Sequence, residues 1–314
     1  MKGSAGSMIV ANEKLPEGKF IAPVVTIGNF DGVHLGHRAV FDEVIRIAHN
    51  AGHPAVVVSF CVHPRKILFP ERPVALLTTC GEKIALIGES QIDALVLLDF
   101  TPELSQMHAR EFVRKVLIER MGASHIVLGY DHAFGKNREG NVDSLGELAR
   151  ICGFEVTRLD SLVIDGHPVS SSRIRSLLEE GDVGMASRYL GRAYSVSGTV
   201  VEGLKRGRTI GFPTANLSAD DPEKIIPCDG VYATLVSTGD GVSYKAVTNV
   251  GPNPTFNGAG RTIESHILDF TGDLYGKKLT IDFISRVRDE KKFPSIEALV
   301  DAIRQDVRVT KEVL

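Results

Sequence analysis

Apolar residues in the first half of the chain form short continuous runs. These runs cover residues 23–27, 55–60, 94–98 and 124–129. Strands that are buried on both faces have this pattern, which is typical of a parallel sheet covered by helices. Between the runs, apolar residues recur at helical spacing and predict helices. The predicted helices cover residues 36–50, 81–89, 109–120 and 142–152. This order of elements predicts an α/β domain with a doubly wound, mostly parallel sheet.

From Tyr194 onward the pattern changes to alternating apolar and polar positions. The alternating segments are residues 194–201, 231–236, 263–268 and 279–283. Such alternation between clusters of turn residues predicts an antiparallel sandwich or a small barrel. A last helix is predicted over residues 295–308. Its inward stripe would consist of Ile296, Leu299, Val300 and Ile303. With 314 residues, we expect two domains, residues 1–190 and 191–314.

Composition limits the partners that we expect. The net charge is −3, so no bulk basic field indicates nucleic acid or an anionic membrane as a partner. Cys61, Cys80, Cys152 and Cys228 form no Cys-x-x-Cys pair, which argues against structural zinc and a disulfide framework. No apolar run approaches the ~20 residues of a membrane-spanning helix, and no signal-peptide core is found, so a cytoplasmic location is expected. The small residues before Met8 are expected to be a cloning remnant without a structural role.

A glycine-rich turn links the first predicted strand to the first predicted helix. Its residues are Gly28, Asn29, Phe30, Asp31, Gly32, His34, Gly36 and His37. A strand, a turn and a helix in this order place a helix start at the carboxyl end of a parallel strand, where open α/β sheets bind ligands. The N–H groups of a helix start attract anions, and Gly32 and Gly36 allow close approach to the backbone. We therefore predict a nucleotide phosphate site.

The two histidines of this turn are candidates for catalysis. His34 and His37 are three residues apart, so in a helix they share a face and can hydrogen-bond neighbouring phosphate oxygens. Such donors would stabilise the charge that develops when a nucleotide α-phosphate is attacked. The alternative is that both are solvated polar residues. The chain has neither a Gly-x-Gly-x-x-Gly fingerprint nor a P-loop, which disfavours a dinucleotide dehydrogenase and a P-loop enzyme.

A second polar loop, residues 129–140, follows the fourth predicted strand and is expected at the same edge of the sheet. In it, Asp131 is a candidate to hold a magnesium-bound water or a ribose hydroxyl. Lys136 and Arg138 are candidates to bind phosphate. The alternative is a solvated loop.

A third candidate segment is a helix start rich in serine and arginine. It contains Ser170, Ser171, Ser172, Arg173 and Arg175. Serine is a good N-cap, but cations are unfavourable at the start of a helix. A bound anion would reverse that penalty, so the segment predicts a second phosphate-binding end. The alternative is a plain serine cap with solvated arginines.

The second half of the chain contains a glycine-rich basic stretch, residues 203–216. Its candidate nucleotide-binding residues are Gly207, Arg208, Gly211, Pro213, Thr214 and Asn216, beside Lys205 and Arg206. Glycines with basic side chains suit a flap over phosphates. Thr214 and Asn216 are two residues apart, so in an extended segment they point the same way and can share Mg²⁺ through oxygen ligands. A hairpin with a polar tip is the alternative.

Glu264 lies on the predicted strand 263–268. Alternation places Ile263, Ser265 and Ile267 on one face and Glu264, His266 and Leu268 on the other. A carboxylate on a rigid strand facing the flap is what a general base for a sugar or polyol hydroxyl requires. A surface glutamate is the alternative.

Together these motifs resemble the bacterial bifunctional riboflavin kinase and FAD synthetase family, over about residues 24–306. The resemblance implies a Rossmann-like nucleotidyltransferase domain that transfers AMP from ATP to FMN and releases pyrophosphate. It also implies a six-stranded barrel that phosphorylates riboflavin to FMN. The ATP residues implied for the first domain are His34, His37, Ser171, Ser172, Arg173 and Arg175. In the barrel, Thr214 and Asn216 would bind magnesium ATP, and Glu264 would activate the terminal ribityl hydroxyl of riboflavin.

Three positions differ from the usual pattern of that family. Residues 60–64 read Phe-Cys-Val-His-Pro where the family usually has Phe-x-Pro-His-Pro. His132 stands in place of phenylalanine, and Ser172 in place of threonine. The last change keeps the hydroxyl, and none of the three removes a proposed catalytic group.

Two other functions compete with the one that the resemblance implies. The first is a nucleotidyltransferase for a different acceptor, such as a phosphorylated alcohol, which the motif around Thr214 and Glu264 opposes. The second is a flavin-sensing regulator that binds without turnover, which the full set of candidate catalytic residues opposes. The oligomeric state is left open by the sequence.

Overall fold

A computed structural model describes residues 8–12, 19–130, 134–136, 140, 142–203, 206–239, 241–252 and 261–314. Contacts between Cα atoms divide the chain into two compact units, Met1–Ser171 and Ser172–Leu314. This division falls earlier in the chain than the predicted domain boundary at 190/191. Residues 172–190 therefore group with the second unit.

The first unit is built on a parallel six-stranded sheet. Its strands are β1 (Ile9–Asn12), β2 (Val24–Ile27), β3 (Ala55–Phe60), β4 (Ala94–Leu98), β5 (His125–Leu128) and β6 (Glu155–Arg158). They lie in the order β1-β4-β3-β2-β5-β6, and every neighbouring pair is parallel. The predicted parallel α/β sheet is thus confirmed. Strand order reverses at β2, which lies between β3 and β5, and ligands bind at the carboxyl ends of strands at such a switch point.

Helices and a short hairpin complete the first unit. They are α1 (Leu35–Ala51), α2 (Pro64–Leu68), α3 (Cys80–Gly88), α4 (Pro102–Gln106), α5 (Ala109–Phe112), α6 (Val142–Cys152) and the hairpin β7 (Val163–Ile164) and β8 (His167–Pro168). A π-helical segment, Val113–Arg120, continues α5, so the helix predicted over 109–120 has two parts. Apolar side chains form two cores, one containing Val25, Val56 and Ile126 and the other Val24, Val57 and Val127. Because adjacent residues of each strand enter different cores, both faces of the sheet are buried, as the continuous runs predicted.

Cys61, directly after β3, forms a disulfide with Cys80, the first residue of α3. The two are 19 residues apart in sequence, and their Cα atoms are 5.0 Å apart. The prediction of no disulfide was wrong for this pair, since the tertiary fold brings together two cysteines that no local motif connects. Cys152 and Cys228 are free thiols.

The second unit begins with α7 (Ser171–Glu180), which shares its first residue with the first unit, and α8 (Val183–Leu190). The remaining elements are β9 (Tyr194–Val201), α9 (Arg206–Thr209), β10 (Ala215–Ala219), β11 (Gly230–Ser237), β12 (Ser243–Pro252), β13 (Arg261–Ile267), β14 (Lys278–Arg288) and α10 (Ile296–Val313). The strands close into an antiparallel barrel in the order β10-β13-β12-β11-β14-β9. The structure thus selects the barrel from the two predicted architectures and confirms the terminal helix.

A column of three hydroxyl groups is buried among the barrel strands. Thr234 and Thr248 lie 2.7 Å apart between their Oγ1 atoms, and Thr248 lies 2.8 Å from the Oγ of Ser265. All three side chains are buried. Each hydroxyl can both donate and accept, and Thr234 Oγ1 also donates to the Ala246 oxygen at 3.1 Å, so all three hydroxyls have partners within the protein.

An ion pair attaches α10 to the barrel. Arg288 of β14 donates from Nε and Nη2 to the carboxylate of Asp306, whose side chain is 4% exposed. The prediction that Ile296 belongs to the inward stripe was wrong, because Ile296 is the first residue of α10 and is 64% exposed. Asp306 and Thr310 are the fully buried residues of this helix.

Among the residues that the structure describes, no helix combines the length and the apolar character required to cross a membrane.

Candidate active sites

The loop after β2 is held in an unusual backbone conformation. Phe30, Gly32 and Val33 have positive φ angles of 49°, 90° and 40°. The Phe30 ring folds back over Gly28, where an added Cβ would lie 2.8 Å from the ring. Phe30 is 4% exposed and packs edge-on against Phe41 of α1, with ring centroids 4.9 Å apart. Positive φ angles cost free energy in residues other than glycine and persist where the surroundings enforce them, which is frequent at functional sites.

The histidines lie together at the start of α1. His34 is the N-cap, and its Nδ1 accepts a hydrogen bond from the backbone N–H of His37 at 3.2 Å. The two rings stack with centroids 3.5 Å apart and planes 18° apart. A ring nitrogen that accepts a hydrogen bond carries no proton, so the neutral His34 ring is protonated at Nε2. The predicted pairing of the two histidines is therefore seen, with His34 able to present a donor.

Asp31 faces the protein interior. Its carboxylate accepts hydrogen bonds from the backbone N–H of Thr78 at 2.9 Å, the N–H of Leu77 at 3.1 Å and the Thr78 hydroxyl at 3.1 Å. Asp31 is 3% exposed. The geometry gives this side chain a supporting role within the loop, and direct nucleotide contact by Asp31 stays a prediction.

Asn29 offers a polar group of a different kind. Its Oδ1 atom is buried and has no hydrogen-bond partner among the described residues. A buried acceptor without a partner costs free energy, which a ligand that donates a hydrogen bond would recover. Asn29 therefore fits its predicted place in a ligand site.

The third candidate segment, at the start of α7, contacts the first motif through Ser171. The Ser171 hydroxyl donates to the backbone oxygen of Asp31 at 2.9 Å. A Cβ added at Gly36 would lie 3.5 Å from the Val169 oxygen, so the segment before α7 also passes close to α1. The structure thus places Ser171, from the third predicted segment, beside the first motif.

The remaining residues of that helix start lie just before α7 or in its first turns. Ser170 precedes the helix, Ser172 is exposed, and Arg173 and Arg175 are half-buried. Arg173 lies 3.9 Å from Glu180. Nucleotide contact by these four residues stays a prediction.

Only part of the loop 129–140 is described. Phe134 and Gly140 form an antiparallel bridge, and the backbone N–H of Lys136 donates to the Met107 oxygen at 3.0 Å. Asp131 and Arg138 lie outside the described residues, as do His132 and Lys205. The loop follows β5, whose carboxyl end lies beside that of β2 because the two strands pair in parallel.

In the barrel, the predicted base and the predicted metal ligands are neighbours. The Thr214 hydroxyl donates to the Glu264 carboxylate at 3.3 Å. Asn216 of β10 lies directly opposite Glu264 of β13, so their side chains share one face of the sheet. Ile263, Ser265 and Ile267 are buried while Glu264 and His266 are half-buried, which confirms the predicted alternation over 263–267. The prediction for Leu268 was wrong, because the strand ends at Ile267 and Leu268 is buried.

Two glycines shape the turn before Thr214. Residues 207–212 close on themselves, with the Phe212 N–H donating to the Gly207 oxygen at 2.8 Å. A Cβ at Gly207 would lie 2.2 Å from the Phe212 oxygen, and Gly211 has a φ angle of 85°. The oxygen of Pro213, which follows, accepts a hydrogen bond from Nδ1 of His266 at 2.9 Å. Arg208, within the turn, is exposed. The turn therefore leads the chain directly to the Thr214 and Glu264 pair.

The donor set beside Glu264 suits magnesium. Thr214, Asn216 and Glu264 all offer oxygen atoms, the ligands that Mg²⁺ prefers, and two or three such ligands leave positions for phosphate and water. Among the described residues, no group of three or more His, Cys, Asp or Glu side chains forms a site for a softer metal.

Sequence reasoning missed two residues beside the first motif. Thr78 accepts a hydrogen bond from the Gly32 N–H at 2.9 Å, and Lys83 of α3 donates from Nζ to the Phe60 oxygen at 2.7 Å. Burial lowers the pKa of Lys83 to about 8, and attraction to Asp31 partly opposes that shift. The sequence signals only the start of α3, through the capping box of Thr79 and Glu82.

Comparisons with known proteins cover nearly the whole chain. A family model described as FAD synthetase matches residues 19–173, and one described as riboflavin kinase matches residues 190–314. A bifunctional riboflavin kinase/FMN adenylyltransferase from Pseudomonas fluorescens is 38% identical over 289 residues, which are 92% of each chain. One of the same name from Haemophilus influenzae is 34% identical and covers 91% of this chain and 92% of the relative.

A solved structure matches the fold of the whole chain. It is a crystal structure of a Streptococcus pneumoniae protein described as a macrolide-efflux protein, with a TM-score of 0.86 and 32% identity over 97% of this chain and 99% of that one. Its described role belongs to that protein. Both family models, and relatives that match more than nine-tenths of its length, show that the chain belongs to the bifunctional riboflavin kinase/FMN adenylyltransferase family.

Proposed function

We propose that the two reactions of this bifunctional enzyme are carried out at the two separate sites described above. Residues 1–190 would transfer AMP from ATP to FMN, and residues 191–314 would phosphorylate riboflavin. The observation that carries this assignment is the 3.3 Å hydrogen bond between Thr214 and Glu264, which joins a predicted metal ligand to a predicted base on the barrel. The two histidines lie in the other compact unit.

In the kinase reaction, Glu264 would accept the proton of the terminal ribityl hydroxyl of riboflavin. The oxygen then attacks the γ-phosphorus of ATP, and ADP leaves. The hydrogen bond from Thr214 orients the carboxylate for this proton transfer. Thr214 and Asn216 would hold Mg²⁺, which neutralises phosphate charge when bound. The tight turn at residues 207–212 would cover the phosphates.

In the adenylyl transfer, a phosphate oxygen of FMN attacks the α-phosphorus of ATP and pyrophosphate leaves. The nucleophile comes from FMN, so no side chain forms a covalent intermediate. His34 and His37, with the N–H groups at the start of α1, would stabilise the charge that builds on the phosphate oxygens. Ser171 lies at the same place through its bond to Asp31. Among flavin and non-flavin acceptors, the match to a riboflavin kinase model favours FMN.

The experiment that tests this assignment measures both reactions on one purified protein. With riboflavin, ATP and magnesium, the enzyme should form FMN and then FAD with pyrophosphate. Glu264→Ala should abolish FMN formation and leave FMN adenylation intact, because the base belongs to the barrel alone. Loss of both reactions in a folded Glu264→Ala protein, or of neither, would contradict the division of labour. A cytoplasmic location stays a prediction.

A further inference from the structure

Lys83 is a buried charge that the proposed chemistry does not use. It is 3% exposed and is the fourth residue of α3. Lysine is almost never fully buried without a partner, because removing an ammonium group from water is costly. A helix start is also an unfavourable place for a positive charge. A lysine at this position, despite both unfavourable effects, indicates that its charge contributes to the structure or the function of the site.

The partners of Lys83 lie in and beside the loop of the proposed nucleotide site. Its Nζ donates to the oxygen of Phe60, the last residue of β3, at 2.7 Å. Asp31 attracts it electrostatically from the loop after β2. The ammonium therefore acts on two strand ends that lie side by side, since β2 and β3 pair in parallel.

Thr78 completes the link between α3 and the loop. Its hydroxyl donates to Asp31 at 3.1 Å and accepts from the Gly32 N–H at 2.9 Å, so one side chain fixes two consecutive residues of the loop. The backbone N–H of Thr78 also donates to Asp31. The next residue, Thr79, caps α3 and so connects this contact to the helix that carries Lys83.

From these contacts we propose that Lys83 is a positioning residue for adenylyl transfer. Its buried ammonium holds the end of β3 and the Asp31–Thr78 contact in place, and so fixes the loop from Gly28 to His34 in its phosphate-binding conformation. The loop needs such support because Phe30 and Val33 have positive φ angles. This inference rests on the proposed assignment of adenylyl transfer to the first unit.

A pH profile separates this role from simple packing. Among the described residues, the Asp31 carboxylate of the loop attracts the ammonium, and the Phe60 carbonyl of β3 accepts its hydrogen bond. On its own helix, Glu82 is bonded to the Thr79 N–H, and the neighbouring disulfide of Cys61 and Cys80 does not titrate. Because the pKa of Lys83 is about 8, the ammonium is present below that pH and is lost above it. The rate of adenylyl transfer should therefore fall as the pH rises through about 8, which gives the pH profile an alkaline limb.

The test uses Lys83→Met, which keeps the length of the side chain and removes the charge. The matched control is Lys115→Met, at an exposed lysine whose Nζ lies 2.7 Å from Glu111. Both variants and the wild type are assayed for FMN adenylation and riboflavin phosphorylation from about pH 6.5 to about pH 9.5, a range that brackets the Lys83 transition.

We expect Lys83→Met to lower kcat for FMN adenylation roughly 10- to 100-fold, as misplaced catalytic groups do, with KM for ATP within about threefold. The alkaline limb near pH 8 should disappear from its profile, and riboflavin phosphorylation should match the wild type. Lys83→Arg keeps the charge at high pH, so whatever adenylation it retains should continue above the wild-type limb. Hydrogen exchange should become faster at residues 28–34 in Lys83→Met and stay unchanged in the barrel.

Three results would overturn the proposal. They are unchanged adenylation in Lys83→Met, an alkaline limb that persists in Lys83→Met or Lys83→Arg, and a wild-type profile without any limb near pH 8. If Lys83→Met does not fold, the pH profiles of FMN adenylation by the wild type and by Lys83→Arg still decide whether the proposal holds. A wild-type enzyme that phosphorylates riboflavin but never adenylates FMN would refute the proposed function itself, which is a different outcome.

Discussion

The two sites obtain their geometry in different ways. In the parallel sheet, the proposed phosphate site consists of loops beyond the strand ends, and its shape depends on buried contacts such as Asp31 with Thr78. In the barrel, Asn216 and Glu264 are placed by the register of two paired strands, β10 and β13. Thr214 is the residue just before β10 and is placed by it. A loop site needs a second set of residues to hold it, whereas a strand site is held by the sheet itself. The first unit should therefore lose function through residues distant from the phosphate, and the barrel chiefly through the reacting residues.

The largest effect is expected at Glu264. Glu264→Gln keeps the shape and the hydrogen bond from Thr214 but removes the base, so riboflavin phosphorylation should fall by about 10³-fold, in the range for general base catalysis. FMN adenylation by the same protein should be unchanged, which serves as the control. A kinase rate within about fivefold of the wild type would show that another group takes the proton.

The next effect concerns stability. Asp306→Ala leaves Arg288 without its buried partner, which typically costs about 3 kcal/mol, or roughly 150-fold in the unfolding equilibrium. Thermal melting followed by each activity should show the kinase lost at a lower temperature than the adenylyltransferase. Asp301→Ala, at an exposed residue paired with Arg304 on the same helix, is the control and should cost less than about 1 kcal/mol. Equal loss from both variants would contradict the argument.

A complementary loss is expected at His37. His37→Ala removes one of the stacked donors and should lower kcat for FMN adenylation by about 10²-fold, the cost of one donor to a developing charge. Riboflavin phosphorylation should not change. His49→Ala, in the last turn of the same helix, is a suitable control. If kinase activity fell together with adenylation, the separation of the two sites would be wrong.

The smallest effect is expected at the turn before Thr214. A Cβ at Gly207 would collide with the Phe212 oxygen, so Gly207→Ala should displace the turn and raise KM for ATP in the kinase reaction by about tenfold, or about 1.4 kcal/mol of binding free energy. Gly184→Ala, where the nearest atom to an added Cβ is 3.8 Å away, is the matched control in α8. A normal KM in Gly207→Ala would show that the turn does not cover the nucleotide.

Much of the architecture follows from the sequence, because buried parallel strands and alternating barrel strands have distinct patterns. The strands that escaped prediction lie where the pattern is weak. β1 and β6 are sheet edges, and β1 has no buried residue among its four. In the barrel, β10 was foreseen only as an extended segment at Thr214 and Asn216, and β12 was missed.

Within the sites, local motifs revealed the residues that lie close in sequence. His34 and His37, or Thr214 and Asn216, could be paired by spacing alone. The partners of Asp31 could not, since Leu77 and Thr78 are 46 and 47 residues away. The same holds for Lys83, whose partner oxygen at Phe60 is 23 residues away. The residues that hold a loop in place can come from any segment that the fold brings close to it. The hydrophobic periodicity of the sequence does not predict which residues these are.

The pairing of β1 with β4 has a consequence for biosynthesis. Ile9 pairs with Ala94, and β3 and β2 lie beyond β4 in the sheet. Until β4 has been synthesised and has left the ribosome, β1 has no strand to pair with among those that the structure describes. β1 must therefore stay unpaired until β4 is available, and a chaperone that shields β1 during that interval would favour correct assembly of the sheet.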